Sequence, residues 1–293
     1  MAEQIGIIGL GIMGSSFARN LSKGGFEIIG CDIDDARVAG LGDISLTPVA
    51  SPSEVAARVD RIITSLPTAA AFAKVTAEIA ATGRPVIVAD TCTLNVAEKE
   101  VGRQLLDKAG AILLDTPVGG TGAQAAEGDL VVFGSGDAAA FEKVRPVFKK
   151  MARVVHHLGD FGAGSSMKFI HNLLVTIHDA AAGEAFALGI KAGVDPQKIY
   201  DVISASVGSS RVFEVRGPMM VSGDYETNIT ARLQLLLKDI ACISQHARET
   251  ACPTPLFTLA SELHFAADAQ GFANSDPAAV CKVSERLAGI ERG

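Results

Sequence analysis

The chain has no tryptophan and two tyrosines, so aromatic residues make up 5% of its 293 positions. In their place stand 30 glycines and many alanines, a composition that suits closely packed helices and strands. A cationic excess is missing too. Lys and Arg number 26 against 33 Asp and Glu, a formal net charge of -7. That argues against a general nucleic-acid binder, because neutralising phosphates needs basic clusters. No segment approaches the ~18–20 unbroken apolar residues of a membrane span. The N-terminus runs straight into an apolar strand, without the basic stretch and apolar core of a secretory leader. Both readings point to a cytoplasmic protein with no membrane partner. The five cysteines (Cys31, Cys92, Cys242, Cys252 and Cys281) are scattered, with neither zinc spacing nor a disulfide pattern, and are expected to be small, mostly buried residues. The six histidines (His156, His157, His171, His178, His246 and His264) show no metal spacing, and none stands beside a serine nucleophile motif. No metal is therefore expected. Internal repeats and low-complexity tails are also lacking.

What is present begins at Gln4. Ile5-Gly6-Ile7-Ile8 is long enough for a buried strand, and Gly9-Leu10-Gly11-Ile12-Met13-Gly14 follows at once. Ser15 to Leu21 has helical spacing and closes at Gly24-Gly25. Phe26 to Cys31 is a second apolar run, with Asp32 at its end. In a strand–turn–helix of this kind the first glycine permits the tight turn. The second lets a pyrophosphate approach the backbone, and the third lets the helix pack on the strand. The free N–H groups at the helix start bind phosphates. Asp32 lies twenty-one residues after Gly11, where a carboxylate can accept from both ribose hydroxyls of NAD and would repel the 2′-phosphate of NADP. The competing readings are an ordinary βαβ turn and, for Asp32, a cap on the helix that starts near Asp34-Asp35.

Strands then alternate with helices. Strands are expected at about 61–66, 85–90, 111–115, 130–133 and 154–158. The helices between them include one begun by the capping box Ser51-Pro52-Ser53-Glu54. This is an α/β pattern, as in a parallel sheet covered on both faces. Ligands of such sheets bind at the carboxyl ends of the strands, which singles out the turns Leu66-Pro67, Asp90-Thr91-Cys92-Thr93 and Asp115-Thr116-Pro117. After the glycine turn Gly159 to Gly164 the spacing becomes wholly helical. One long helix covers 165–192, followed by helices at about 196–205, 211–221, 229–249, 255–270 and 277–289. The expected organisation is a nucleotide-binding domain over 1–160 and an all-helical domain over 161–293 that includes the long connecting helix.

Lys168 and Asn172 are four residues apart on that helix, so they share a face. They follow the domain junction, where a cleft is expected. A lysine beside a nicotinamide can give a proton to a carbonyl oxygen and take it back in oxidation, its pKa lowered by the ring's charge and by burial. On composition alone the ordinary reading, a solvated lysine and a helix-surface amide, outweighs the catalytic one, because most lysines are solvated. Gly119-Gly120-Thr121-Gly122 follows a strand, and its backbone N–H groups can form an anion-binding concavity or simply a permissive loop. Lys238-Asp239 sits mid-helix, where a solvated charged pair is the ordinary reading.

Four motifs occur in order: Gly9-Leu10-Gly11-Ile12-Met13-Gly14; Asp115-Thr116-Pro117-Val118-Gly119-Gly120-Thr121; Gly159-x-x-Gly162-x-Gly164-x-x-x-Lys168-x-x-x-Asn172; and Leu237-Lys238-Asp239. Together they resemble the β-hydroxyacid dehydrogenase family over nearly the whole chain. The resemblance implies an N-terminal Rossmann doubly wound sheet, a long connecting helix and an all-helical C-terminal domain, paired in homodimers or homotetramers through the long helix. It implies NAD, with NADP possible, and a small anionic substrate: a 3-hydroxy acid interconverted with its semialdehyde or ketone. It implies Lys168 as catalytic acid/base with Asn172 as its partner. Substrate contacts would come from Gly119, Gly120, Thr121 and Lys238. Cofactor contacts would come from Gly9, Leu10, Gly11, Ile12, Met13, Gly14, Asp32, Leu66, Pro67, Thr93 and Lys238. One position departs from the family pattern, since Gly119 stands where a serine is common. A Gly-x-Thr version resembles the branch acting on sulfolactaldehyde, so a sulfonate substrate is one alternative. Others are an imine reductase, which generally lacks the lysine, and a non-catalytic nucleotide-binding sensor on the same fold.

Overall fold

A computed structural model describes residues 3–292 of the chain. The chain divides into two compact units, one running to Lys168 and the other beginning at Phe169.

In the first unit the alternation is β1 (Gln4–Ile8), α1 (Ile12–Lys23), β2 (Glu27–Cys31), α2 (Asp35–Ala39), β3 (Leu46–Pro48), α3 (Pro52–Arg58), β4 (Arg61–Thr64), α4 (Ala69–Ala80), β5 (Ile87–Asp90), α5 (Val96–Lys108) and β6 (Ile112–Asp115). The six strands form one parallel sheet in the order β3-β2-β1-β4-β5-β6, the order of a doubly wound dinucleotide-binding fold. Side-chain alternation explains why both faces are covered. Ile5, Ile7, Ile28, Ile63, Ala89 and Leu114 join one core with Phe17 and Leu21 of α1. Their neighbours Ile8, Ile29, Ile62, Val88 and Leu113 join another with Val55, Phe72 and Leu106 of α3, α4 and α5.

The remainder of this unit departs from the single parallel sheet that the alternation suggested. β7 (Val118–Gly119), α6 (Gly122–Ala126), β8 (Leu130–Gly134), α7 (Ala138–Phe148) and β9 (Ala152–His157) supply a separate three-stranded sheet, β7-β8-β9, in which β7 and β8 run antiparallel. An isolated bridge between Asp115 and Ser135 joins it to the end of β6. Phe141 on α7 packs against Gly134, where a Cβ would lie 2.0 Å from the ring.

The long helix α8 (Ala163–Lys191) contributes its first residues to this unit and the rest to the second, which adds α9 (Pro196–Ser204), α10 (Arg211–Ser222), α11 (Leu233–Glu249), α12 (Pro255–Ala267) and α13 (Val280–Leu287). Asp195 and Ser210 cap α9 and α10 through side-chain acceptors, as helix starts require. Phe186 of α8, Phe213 of α10, Ala278 just before α13 and Cys281 on α13 belong to the core of this unit. Among the described residues α8 alone is long and apolar enough to cross a membrane. Its apolar sequence is broken by His178, Asp179 and Glu184, and its buried face carries Asn172, Thr176 and Asp179.

Candidate active site

The three glycines of the first turn are glycine for different reasons. Gly9 has φ +90°, and a Cβ there would lie 2.3 Å from the Ser65 carbonyl. A Cβ on Gly14 would lie 1.9 Å from the Gly9 carbonyl, so α1 sits hard against the turn. At Gly11 a Cβ would meet a single group, the Arg37 Nη1, at 3.5 Å. Packing therefore demands glycine at 9 and 14, whereas at 11 its absence of a side chain leaves open space. That space faces the start of α1. There the first helical bond runs from Ser15 N–H to Gly11 O (2.8 Å), and no side chain caps the end. Donors 12 to 14, with the helix dipole behind them, fit the pyrophosphate of a dinucleotide.

Asp32 is tied into the same turn. Its Oδ2 accepts from Leu10 N–H at 2.6 Å and its Oδ1 from Asp34 N–H at 2.9 Å. It is Asp34 that caps α2. Each Asp32 oxygen thus retains one acceptor site, enough for two ribose hydroxyls. Arg37 Nη1 lies 3.5 Å from Oδ2. The turns after β4 and β5 are stitched together beside Gly9: Leu66 N–H donates to Cys92 Sγ at 3.1 Å, and Thr91 Oγ1 donates to Thr64 O at 2.7 Å. Pro67 and Thr93 lie in these two turns. Burial pushes the Cys92 thiol well above its ordinary pKa, with nearby Asp90 adding to the effect.

The 119–122 segment approaches the same turn, since a Cβ on Gly122 would lie 2.9 Å from Ile12 Cγ2. Gly119 pairs with Val131, and Gly120 has φ +135°. The concavity expected here is narrower than backbone counting suggests. Thr121 N–H donates to Gln124 Oε1 (3.0 Å) and Thr121 Oγ1 accepts from Gln124 N–H (3.3 Å), a capping box on α6. The Thr121 hydroxyl still has a proton to donate; its backbone N–H does not. Lys168 is 8% exposed. It is a buried lysine, contrary to the solvated-surface reading.

In the helical unit Asn172 is also buried. Its Nδ2–H donates to Asp239 Oδ2 at 2.7 Å, and its Oδ1 accepts from His171 Nδ1 at 2.8 Å. Lys238 Nζ lies 3.3 Å from Asp239 Oδ1, with about a third of its side chain exposed. Lys238-Asp239 is thus joined to Asn172 by a hydrogen bond and is not an isolated charged pair.

Residues 4–159 match the family model described as the NAD-binding domain of 6-phosphogluconate dehydrogenase. Residues 162–284 match that described as the NAD-binding domain of NADP-dependent 3-hydroxyisobutyrate dehydrogenase. An L-threonate dehydrogenase of Cupriavidus necator is 37% identical, covering 97% of this chain and 96% of its own. The chain belongs to the β-hydroxyacid dehydrogenase family. This dehydrogenase is also 30% identical to the 2-(hydroxymethyl)glutarate dehydrogenase of Eubacterium barkeri, over 98% of this chain and 96% of that one. The structure of a 3-hydroxyisobutyrate dehydrogenase from Salmonella typhimurium superposes with a TM-score of 0.87 at 32% identity, over 96% and 99% of the two chains. A Streptomyces aurantiacus imine reductase, at 15% identity and a TM-score of 0.65 over 96% and 99% of the two chains, shares the fold alone. The protein is an NAD(P)-dependent oxidoreductase acting on hydroxy acids.

Two features of the dehydrogenase escaped the sequence reading. Asp239 orients Asn172 through the bond described above. Lys99 is wholly buried between Asp90 and Asp115. Burial by itself would push the Lys99 ammonium down, but the two carboxylates together raise it above the ordinary lysine value. The signal was available: Val96, Lys99, Gly102 and Leu106 share helical spacing, so a lysine falls on the stripe that also carries the buried Gly102 and Leu106.

Proposed function

We propose that this dehydrogenase is a cytoplasmic homo-oligomer that interconverts a small 3-hydroxy acid and its semialdehyde or ketone, with Lys168 moving the proton. The bound dinucleotide supplies or accepts the hydride. Lys168 gives its proton to the substrate carbonyl oxygen as the alcohol forms and takes the alcohol proton in the reverse direction. Gly119, Gly120 and Thr121 receive the anionic end, with the Thr121 hydroxyl as side-chain donor. Asn172, held by Asp239 and His171, and Lys238 are the further candidates for substrate binding. Gly9 to Gly14, Leu66, Pro67 and Thr93 hold the cofactor, and Asp32 favours NAD. The observation that carries the proton role is the burial of Lys168 in the unit that holds the glycine turn, on the helix that opens at Gly162-Ala163-Gly164.

Two points support a substrate class. The relatives named L-threonate dehydrogenase act on a hydroxy acid, and Gly119 carries no side chain where the family resemblance places a serine. We therefore place a small polyhydroxy carboxylate first and a sulfonate second. Following reduced-cofactor absorbance with NAD and with NADP over a panel of hydroxy carboxylates and sulfonates tests this. Turnover of L-threonate or a near relative supports it. Turnover confined to sulfonates replaces it, and tight NAD binding with no turnover of either class supports the sensor instead.

The oligomer rests on α8. Ile170, Leu174, Ile177, Ala181 and Leu188 recur at heptad spacing on its outer face, and Ile170, Leu174 and Leu188 are about half exposed or more. Such a stripe, interrupted by the exposed Glu184 between Ala181 and Leu188, suits the seam of a helix pair. Leu174→Glu should convert the oligomer to monomer in light scattering, and an unchanged mass would exclude this seam.

A further inference from the structure

Asp90 and Asp115 end neighbouring parallel strands and stand directly opposite each other. Both are wholly buried. Two carboxylates so placed repel each other without water to screen them. Lys99 Nζ sits between them, 2.9 Å from Asp90 Oδ2 and 2.8 Å from Asp115 Oδ1. Asp90 Oδ1 accepts from Thr64 Oγ1 at 2.6 Å, so the ends of β4, β5 and β6 are bound into one polar cluster.

The other side of Asp115 faces the start of α8. Its Oδ2 accepts from Ser165 N–H at 2.7 Å and its Oδ1 from Ser165 Oγ at 2.8 Å. Ser135 Oγ donates to Asp115 Oδ2 at 3.1 Å and accepts from Gly164 N–H at 2.9 Å. Two amides that a helix start leaves unbonded are thereby satisfied. The cluster carries two negative charges and one positive, and its net negative charge meets the positive end of a 29-residue helix. No slack remains: a Cβ on Gly164 would lie 2.2 Å from Phe133 O and 2.8 Å from Asp115 O. Ser165 lies one helical turn before Lys168, so anchoring its amide and hydroxyl fixes where the lysine side chain departs.

We propose that Lys99 is a positioning residue for the reaction: its ammonium bridges Asp90 and Asp115, so that Asp115 can clamp the first turn of α8 and set the place of Lys168. The inference rests on the proton-transfer reading of Lys168. It assigns Lys99 no contact with substrate or cofactor. A displacement of about 1 Å at such a site costs on the order of 10²-fold in rate.

Three variants test it. Lys99→Met should lower kcat by roughly 10²-fold while leaving the dissociation constant for NADH within about twofold, and it should speed hydrogen exchange at the amides of 163–168. Ser165→Ala, which removes one bond of the clamp, should lower kcat by about tenfold with the same exchange signature. The double variant Lys99→Met/Asp90→Asn keeps one carboxylate, Asp115, and the wild-type net charge. It should recover most of the lost kcat and the slow exchange, which a role in packing alone would not produce. If Lys99→Met does not fold, Ser165→Ala and the double variant still decide. The proposal is overturned if kcat and exchange at 163–168 are unchanged in the single variants, or if the double variant is no better than Lys99→Met. Lys168→Ala separates the two readings. Loss of turnover there with normal Lys99 variants defeats only the clamp. Retained turnover there with faster exchange in Lys99→Met defeats the proton role and leaves the clamp as a structural device without a part in the reaction.

Discussion

Each unit buries one cation between two aspartates, and the two clusters do different things. In the nucleotide unit Lys99 lies between Asp90 and Asp115. In the helical unit Arg216 on α10 pairs with Asp179 of α8 and, at 3.2 Å, with Asp276. Asp276 also accepts from Thr230 N–H at 2.6 Å, Thr230 Oγ1 at 2.7 Å and Ala278 N–H at 2.9 Å. His264 Nδ1 donates to Ala260 O, and its Nε2 stands 3.9 Å from Asp179. The charge arithmetic is the same in both. What differs is where the hydrogen bonds end. Those of the arginine cluster end on loops and helices of its own unit and tie residues 179, 216, 230 and 276 together. Those of the lysine cluster end on the helical turn that precedes Lys168. The lesson is that a buried ion cluster is read by what its outer bonds hold, because its own net contribution to stability is small or negative compared with apolar packing.

Breaking the comparison at its structural end gives the largest expected loss. Arg216→Ala leaves two buried carboxylates without their cation and should cost about 3–5 kcal/mol in denaturant unfolding. Turnover per folded molecule should fall far less than in Lys99→Met. A fall in kcat as large as that of Lys99→Met would erase the distinction drawn here.

The two kinds of glycine sharpen the picture next. Gly14→Ala drives a Cβ into the Gly9 carbonyl and should destabilise the fold by roughly 1–3 kcal/mol. Gly11→Ala should leave the melting temperature within error but weaken NAD binding by roughly tenfold, because its methyl enters space the protein does not use. Equal effects of the two substitutions on stability would contradict that assignment.

Smaller effects concern titration and access. A lysine with a raised pKa contributes stability that is complete below its unfolded value and is lost as pH rises through its folded value. The stability advantage of the wild type over Lys99→Met should therefore not shrink from about pH 6 to 9, well below the ordinary lysine range near ~10.4, and should widen where the two carboxylates left facing each other in the variant ionise. A decline within that range would show that the ammonium is not held charged. Burial pushes the Cys31 and Cys281 thiols up to about 12, and Cys252 is the exposed cysteine. A thiol reagent on the folded protein should label Cys252 first, and labelling of Cys31 or Cys281 before it would contradict the burial described.

Much of this was legible in the sequence because its signals are periodic. Apolar runs and glycine geometry marked β1, β2, β4, β5 and β6, and the capping box at Ser51 marked a helix start. Short elements were not legible. β3 and β7 have three and two residues, too few for a period, and α6 hides in a glycine-rich stretch until Thr121 and Gln124 are seen to cap it. The helix expected from 229 begins at Leu233 because Thr230 bonds Asp276 instead of opening a helix. Lys168 stood out through its place in a family motif, since an isolated lysine is ordinarily solvated. Lys99 did not stand out, because its partners lie on two different strands and meet only after the sheet forms.

The proton role of Lys168 is tested most directly by steady-state turnover and NADH binding measured together on Lys168→Ala. The account predicts that kcat falls by ~10²–10⁴-fold while NADH binds as tightly as to the wild type. A variant that keeps near-normal kcat, or one whose lost turnover tracks lost NADH binding, would contradict it.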